Sequence, residues 1–275
     1  MSGCVKIDPI LETVMAECAE VGRYLWERGW AERNAGNISV DITDTSCDAA
    51  CVELDIGSLP YQRLAARYLP LAGRTFLVTG TGKRMRDLAQ QPRQSLSIVR
   101  VSPDGAGYYM LWRADAACWP TSEFNSHLGI HQLLQRKNAP QKAVLHTHPN
   151  ELIALTHLPA LCDEAALNRL LWAMHPETKI MVPEGAGLVP YHPPGSAALE
   201  AATVFAMEEH RIVLWEKHGA VAVGADVFAA FDLIDTLNKS AQLYFLCRIA
   251  GAEPAGLSAA QVVELERIFG RRFVG

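Results

Sequence analysis

The chain has 275 residues, 49% hydrophobic and 20% charged, a balance that excludes a largely disordered polypeptide. Its 25 Lys and Arg against 30 Asp and Glu give a formal charge of −5 without any basic block, which argues against a dedicated nucleic-acid binder. No apolar run approaches the ~18 residues of a membrane span, and residues 1–9 lack a basic patch followed by an apolar stretch, so neither membrane insertion nor export is expected. Seven cysteines, at 4, 18, 47, 51, 118, 162 and 247, are odd in number and scattered. A disulfide scaffold is even-numbered and dense, and the one close pair, Cys47 and Cys51, lacks the second pair of a zinc knuckle. Reduced thiols and a cytoplasmic location follow as expectations.

In chain order, an amphipathic helix is predicted from Asp8, which can cap it, with Pro9 in the first turn. Leu11, Val14, Met15, Cys18, Val21 and Leu25 recur at helical steps before Gly29 stops it. A polar loop, residues 32–37, runs into a short strand at 38–42. Residues 43–73 are irregular and read as an excursion or small subdomain within a single 1–275 domain. Thr75–Thr79 is a strand that ends in Gly-Thr-Gly-Lys, and Ser97–Val101 with Tyr108–Trp112 form a hairpin about Pro103-Asp104-Gly105. Pro120-Thr-Ser-Glu opens a helix to about Lys137. Lys142–His146 is a strand, a helix starts at Pro149, and Ile180–Val182 and Ile212–Trp215 are further strands. Asp226 to Ile249 is the longest helix, its seam formed by Val227, Phe231, Ile234, Leu237, Ala241 and Phe245. Short strands interleaved with helices, without a steady strand–helix–strand rhythm, suggest a mixed or antiparallel sheet layered with helices.

Two metal-ligand patterns compete. His146-Thr147-His148 places two imidazoles on one face of a strand, and His218, beside Gly219 at a strand end, is a third candidate. Glu123, His127 and His131 stand at four-residue steps on one helix, which is also a ligand spacing, though packing and hydrogen bonding account for two such histidines as well. Anion-binding features are individually weak. Gly80-Thr81-Gly82-Lys83 is not a Walker loop but can offer backbone N–H groups and a hydroxyl. Thr121 and Ser122 lie at a helix start, where free N–H groups favour a phosphate or a simple cap. Asn34 and Asn37 flank Gly36 in a loop and are equally suited to turn formation.

Taken together and in order, these motifs are specific. Gly-Trp-Ala-Glu-Arg-Asn-Ala-Gly-Asn (29–37), Val-Thr-Gly-Thr-Gly-Lys (78–83), Pro-Thr-Ser-Glu (120–123), His-Thr-His (146–148), Leu-Trp-Glu-Lys-His-Gly (214–219) and Leu-Ile-Asp-Thr-Leu-Asn-Lys-Ser-Ala-Gln (233–242) carry the resemblance. The chain resembles the class II aldolase family that includes fuculose-phosphate aldolase, ribulose-5-phosphate 4-epimerase and the adducin head. The resemblance implies an α/β/α fold about a largely antiparallel sheet, and a homotetramer with active sites between subunits. It implies a zinc ion on His146, His148 and His218, with Glu123 as acid/base. The phosphate pocket it implies is Asn34, Asn37, Thr79, Gly80, Thr81, Thr121 and Ser122, with Thr81 where related chains usually carry serine. A second glutamate, Glu177, is implied to reach the site from a neighbouring subunit. The 43–73 excursion and Asp-Gly-Ala-Gly-Tyr (104–108) point to the branch that cleaves L-rhamnulose 1-phosphate to dihydroxyacetone phosphate and L-lactaldehyde. Cleavage of fuculose phosphate, pentulose-phosphate epimerisation, or a metal-free adducin-like binding module remain the competing expectations.

Overall fold

The computed structural model describes residues 7–45 and 56–269, so Cys47, Cys51 and the middle of the 43–73 segment lie outside the described residues. Helix α1 (Pro9–Glu27) begins where the Asp8 carboxylate accepts from the Leu11 N–H at 2.8 Å. It buries Leu11, Met15, Cys18, Val21 and Leu25, and Gly29, at φ +71°, takes the left-handed turn after it. Strands β1 (Asn37–Asp41), β2 (Tyr61–Arg63) and β3 (Thr75–Thr79) follow. The short helices α2 (Met85–Gln90) and α3 (Pro92–Ser95), too brief to show a periodicity, lead to the expected hairpin of β4 (Leu96–Val101) and β5 (Gly107–Arg113). The chain continues through α4 (Phe124–Arg136), β6 (Ala143–Thr147), α5 (Asn150–Leu155), α6 (Glu164–Met174) and α7 (Pro176–Met181). It ends with β7 (Gly187–Val189), α8 (Ala197–Ala206), β8 (Ile212–Trp215), β9 (Gly219–Gly224), α9 (Val227–Ile249) and α10 (Ala259–Phe269).

One sheet contains nine strands in the order β2-β5-β4-β3-β1-β6-β9-β8-β7. Its pairs are antiparallel except β7 with β8, so it is mixed and largely antiparallel. The two-residue period of the strands sorts their side chains onto two faces. Ala143 and Leu145 of β6, with Ile212 and Leu214 of β8, pack against Leu11 and Leu25 of α1 and Ile234 and Leu237 of α9. Their neighbours Val144 and Val213 point the other way, onto Ile130 and Leu133 of α4 and Leu199 of α8. Phe124 and Leu128 of α4 extend that second layer over Phe76, Val78 and Val99. The expected α/β/α layering is therefore present, because each face of the sheet must be covered by helices.

Three local expectations change. Ile180–Val182 is not a strand: Ile180 and Met181 close α7, which Pro176 opens from an extended His175. Three apolar residues are too few to separate strand from helix, whereas proline at the first helical position is a start signal. The helix after Pro120 begins at Phe124, so Thr121 and Ser122 precede it. The described end of the 43–73 segment joins the main sheet, with β2 pairing β5 at its edge.

Candidate active site

Three histidines converge at one end of β6. His146 and His148 stand two residues apart, and the β6–β9 register brings the β8–β9 turn, with His218, alongside them. The ring centroids are 5.1 Å apart for His146–His148, 4.9 Å for His146–His218 and 5.1 Å for His148–His218. One ligand nitrogen from each lies within 4.8 Å of the others. Lys217, at φ +61°, makes the sharp turn expected of Gly219. Gly219 is instead required by close approach: a Cβ there would meet the Thr147 carbonyl oxygen at 2.5 Å, His146 Cε1 at 2.9 Å and His148 Cδ2 at 3.0 Å.

The donor set fits a divalent cation. His146 Nδ1–H donates to the Ala220 carbonyl at 2.9 Å, and His148 Nδ1–H to Glu32 Oε1 at 2.8 Å, so each leaves its Nε2 lone pair free. His218 Nδ1 is buried without a hydrogen-bond partner. Burial, foremost, holds His146 well below the ordinary histidine range and His218 down to about 4, with His148 close to both adding to the effect. His146 and His218 are thereby held neutral, as a cation's ligands must be. Beneath them the buried Trp215 ring lies 4.4 Å from His146 and 5.1 Å from His218, and its N–H donates to Thr203 Oγ1 at 2.8 Å.

Glu123 immediately precedes α4 and is 8% exposed. Its Oε2 is 3.6 Å from His146 Nε2 and accepts from Asn37 Nδ2 at 2.7 Å. Burial pushes its carboxyl up, against the opposing pull of Asn37 and His148. The competing helix pattern dissolves, because His127 and His131 both bond Ser39 Oγ, at 2.7 and 2.8 Å, and are satisfied inside the protein.

A cavity of about 170 Å³ opens beside the histidines, lined by Asn34, Gly36, Asn37, Gly80, Thr81, Thr121, Ser122, Glu123 and all three histidines. Its walls beyond the histidines and Glu123 are neutral hydroxyls, amides and backbone. Thr79 is not among them: its hydroxyl accepts from the Ile38 N–H at 3.0 Å and donates to the Ile38 carbonyl at 3.2 Å. The Gly80, Thr81 and Lys83 N–H groups are bonded to Ser95, Trp119 and Gly80 carbonyls, and Lys83 pairs with Asp115 at 2.8 Å. Glu177 is elsewhere on the chain, in the first turn of α7, 3.1 Å from His175. It lines a separate hollow of about 310 Å³ with Arg28, Asp235, Lys239 and Gln242. Sequence reasoning overlooked Glu32, although it lies within the 29–37 motif, and also Ser39 and Trp215, which as single buried residues carry no signal.

The family profile described as Class II Aldolase and Adducin N-terminal domain matches residues 16–245. The chain belongs to that family. Among its relatives, a rhamnulose-1-phosphate aldolase of Bacteroides thetaiotaomicron is 43% identical over 98% of both chains. A rhamnulose-1-phosphate aldolase of Escherichia coli is 34% identical over 89% of each. In structure, a sugar-phosphate aldolase from Thermotoga maritima superposes with a TM-score of 0.75 at 32% identity, covering 90% of this chain and 99% of that one.

Proposed function

We propose that the protein splits L-rhamnulose 1-phosphate into dihydroxyacetone phosphate and L-lactaldehyde, with a zinc ion on His146, His148 and His218. The observation that carries this reading is the convergence of three imidazoles, with ligand nitrogens within 4.8 Å of one another, beside a buried glutamate, at a cavity lined by hydroxyls and amides. The relatives of that name at 43% and 34% identity support the choice of substrate. A zinc ion would supply Lewis acidity to offset the negative charge that carbon–carbon cleavage leaves next to the carbonyl.

The chain's own residues do the rest. Thr81, Thr121, Ser122 and Asn34 hold the phosphate, whose binding energy orients the reacting carbons, and Gly80, its N–H bonded to the Ser95 carbonyl, shapes the wall beside it. Asn37 and Thr79 brace that wall, their side chains being bonded to Glu123 and to the Ile38 backbone. Glu123, poised by burial to carry a proton, delivers one to the carbon that becomes the hydroxymethyl end of dihydroxyacetone phosphate. A placed acid/base of this kind contributes roughly 10²–10⁴-fold. Glu177, from a neighbouring subunit of a homotetramer, takes the proton of the hydroxyl that becomes the aldehyde. Its place in a different hollow from the histidines of its own chain is compatible with that role. We place the reaction in the cytoplasm, in keeping with an odd and scattered set of seven cysteines. Among the described residues, no helix is long and apolar enough to cross a membrane.

The test follows dihydroxyacetone phosphate release from zinc-loaded protein offered L-rhamnulose 1-phosphate or L-fuculose 1-phosphate, with and without a chelator. Fast, chelator-sensitive cleavage of the rhamnulose ester is expected. Preference for the fuculose ester would overturn the substrate and keep the mechanism. Silence on both with zinc bound points to an epimerase, and folded protein that takes up no metal points to a binding module.

A further inference from the structure

Behind Glu123, away from the cavity, four hydrogen bonds run in series through the sheet. Asn37 Nδ2 reaches Glu123 Oε2 at 2.7 Å, and His127 Nε2 reaches Asn37 Oδ1 at 2.5 Å. Ser39 Oγ joins His127 Nδ1 at 2.7 Å and His131 Nε2 at 2.8 Å. Asn37 and Ser39 are two apart on β1 and His127 and His131 four apart on α4, so strand and helix periods align the polar groups face to face. Ser39 and His127 have no exposed surface, and His131 is 3% exposed.

The direction of every bond follows from the first. The Glu123 oxygen that faces Asn37 accepts, so Asn37 turns its NH2 group to Glu123 and its oxygen to His127. His127 then carries its proton on Nε2, leaving Nδ1 to accept from the Ser39 hydroxyl. Ser39, having donated, accepts from His131 Nε2–H. All four donors point toward the glutamate. A flipped Asn37 amide would set two oxygens against each other in a buried place, and an imidazole of the other tautomer would permit that flip. Because an amide stands in the series and does not readily hand on its proton, the series orients the carboxylate and does not conduct protons.

We propose that His127, held in its Nε2–H form by Ser39, is a positioning residue that locks the Asn37 amide and through it aims the Glu123 carboxylate. This rests on the proton-carrying role given to Glu123. It explains why four polar side chains, Asn37, Ser39, His127 and His131, occupy a buried place between sheet and helix where apolar residues would pack at less desolvation cost.

The experiment measures kcat and KM for L-rhamnulose 1-phosphate cleavage, and metal per chain, on full-length zinc-loaded protein. The variants are Glu123→Gln, Asn37→Ala, His127→Leu, His127→Gln and the double Asn37→Ala/His127→Leu. His127→Leu is expected to lower kcat roughly 10–100-fold, the scale of a misplaced reacting group, with KM and metal content unchanged. His127→Gln, which keeps an N–H donor, should recover part of the loss. The double variant should be no slower than Asn37→Ala alone, because both act through one bond. A wild-type kcat in His127→Leu, or losses that multiply in the double variant, overturns the proposal. Should His127→Leu fail to fold, Ser39→Ala takes its place. It frees the tautomer, so a several-fold fall in kcat at constant KM is expected and an unchanged kcat overturns the proposal. Full activity in Glu123→Gln would remove the glutamate's role and the proposal with it. An inactive Glu123→Gln beside a fully active His127→Leu would remove the proposal alone.

Discussion

At the residue scale, Gly219 shows how a backbone atom can set a metal centre. Its missing Cβ is what allows the β8–β9 turn to approach the Thr147 carbonyl and both neighbouring imidazoles. Gly219→Ala would push a methyl to 2.5 Å from that carbonyl oxygen, so the turn must retreat and carry His218 with it. The expected result is a loss of roughly 1–3 kcal/mol of stability, the usual cost of overpacking, together with weaker retention of a divalent metal. Dialysis against buffered zinc, with metal counted per chain, checks it, and wild-type retention would refute the account. The same lesson holds for Glu32. It fixes the tautomer of His148 from an exposed loop, and nothing in its sequence position distinguishes it from a solvated charge.

At the element scale, α9 was the most legible part of the chain. Its 23 residues give the apolar seam many turns in which to repeat; Val227, Phe231, Ile234, Leu237 and Ala241 are buried as the pattern requires, and Phe245 is partly buried. Short elements gave no such averaging, which is why α2 and α3 carried no signal and the Ile180–Val182 run misled. The α9 start is fixed by Asp226, whose Oδ1 accepts from the Ala229 N–H at 2.8 Å. Asp226→Ala is expected to cost about 1 kcal/mol in urea unfolding, the typical value of an N-cap. Burial first of all pushes the carboxyls of Glu17 and Asp232 upward, for Asp232 with Asp235 next, and the Asp226 charge adds to both, so it is repulsive there. Asp226→Asn keeps the cap and removes the repulsion, and should match or exceed the wild type. Equal losses in both variants would show that charge and not capping matters at this end.

At the scale of the whole molecule, the buried histidine pair couples stability to pH. Burial draws His127 down to about 3 and His131 to about 4, against an unfolded value of about 6.5. The unfolded chain therefore binds more protons than the native one between those values. The stability is fully present above the unfolded pKa and drains away as pH falls from about 6.5 toward 4, by up to ~1.4 kcal/mol per pH unit for each histidine. Urea midpoints at about pH 7 and about pH 5 should differ accordingly, and His131→Gln should flatten the slope. A slope the same in both proteins would place the pH sensitivity elsewhere.

Local pattern determined much of this protein on its own. The long helices, the β4–β5 hairpin, the capping residues Asp8 and Asp226, and the pairing of His146 with His148 all rest on contacts within a few residues. Periodicity reports which side of an element is buried, and linked motifs report kinship. The tertiary structure decided which of two ligand patterns converges, because strand register alone brings His218 to His146 and leaves His131 facing Ser39. It also decided that the Thr79 hydroxyl and the Asn37 amide are engaged inside the protein, and that Glu177 lines a different hollow from His146, His148 and His218 of its own chain. The physical reason is that a polar side chain's role depends on the direction of its hydrogen bonds. Those directions are set by partners distant in sequence, and no spacing rule encodes them.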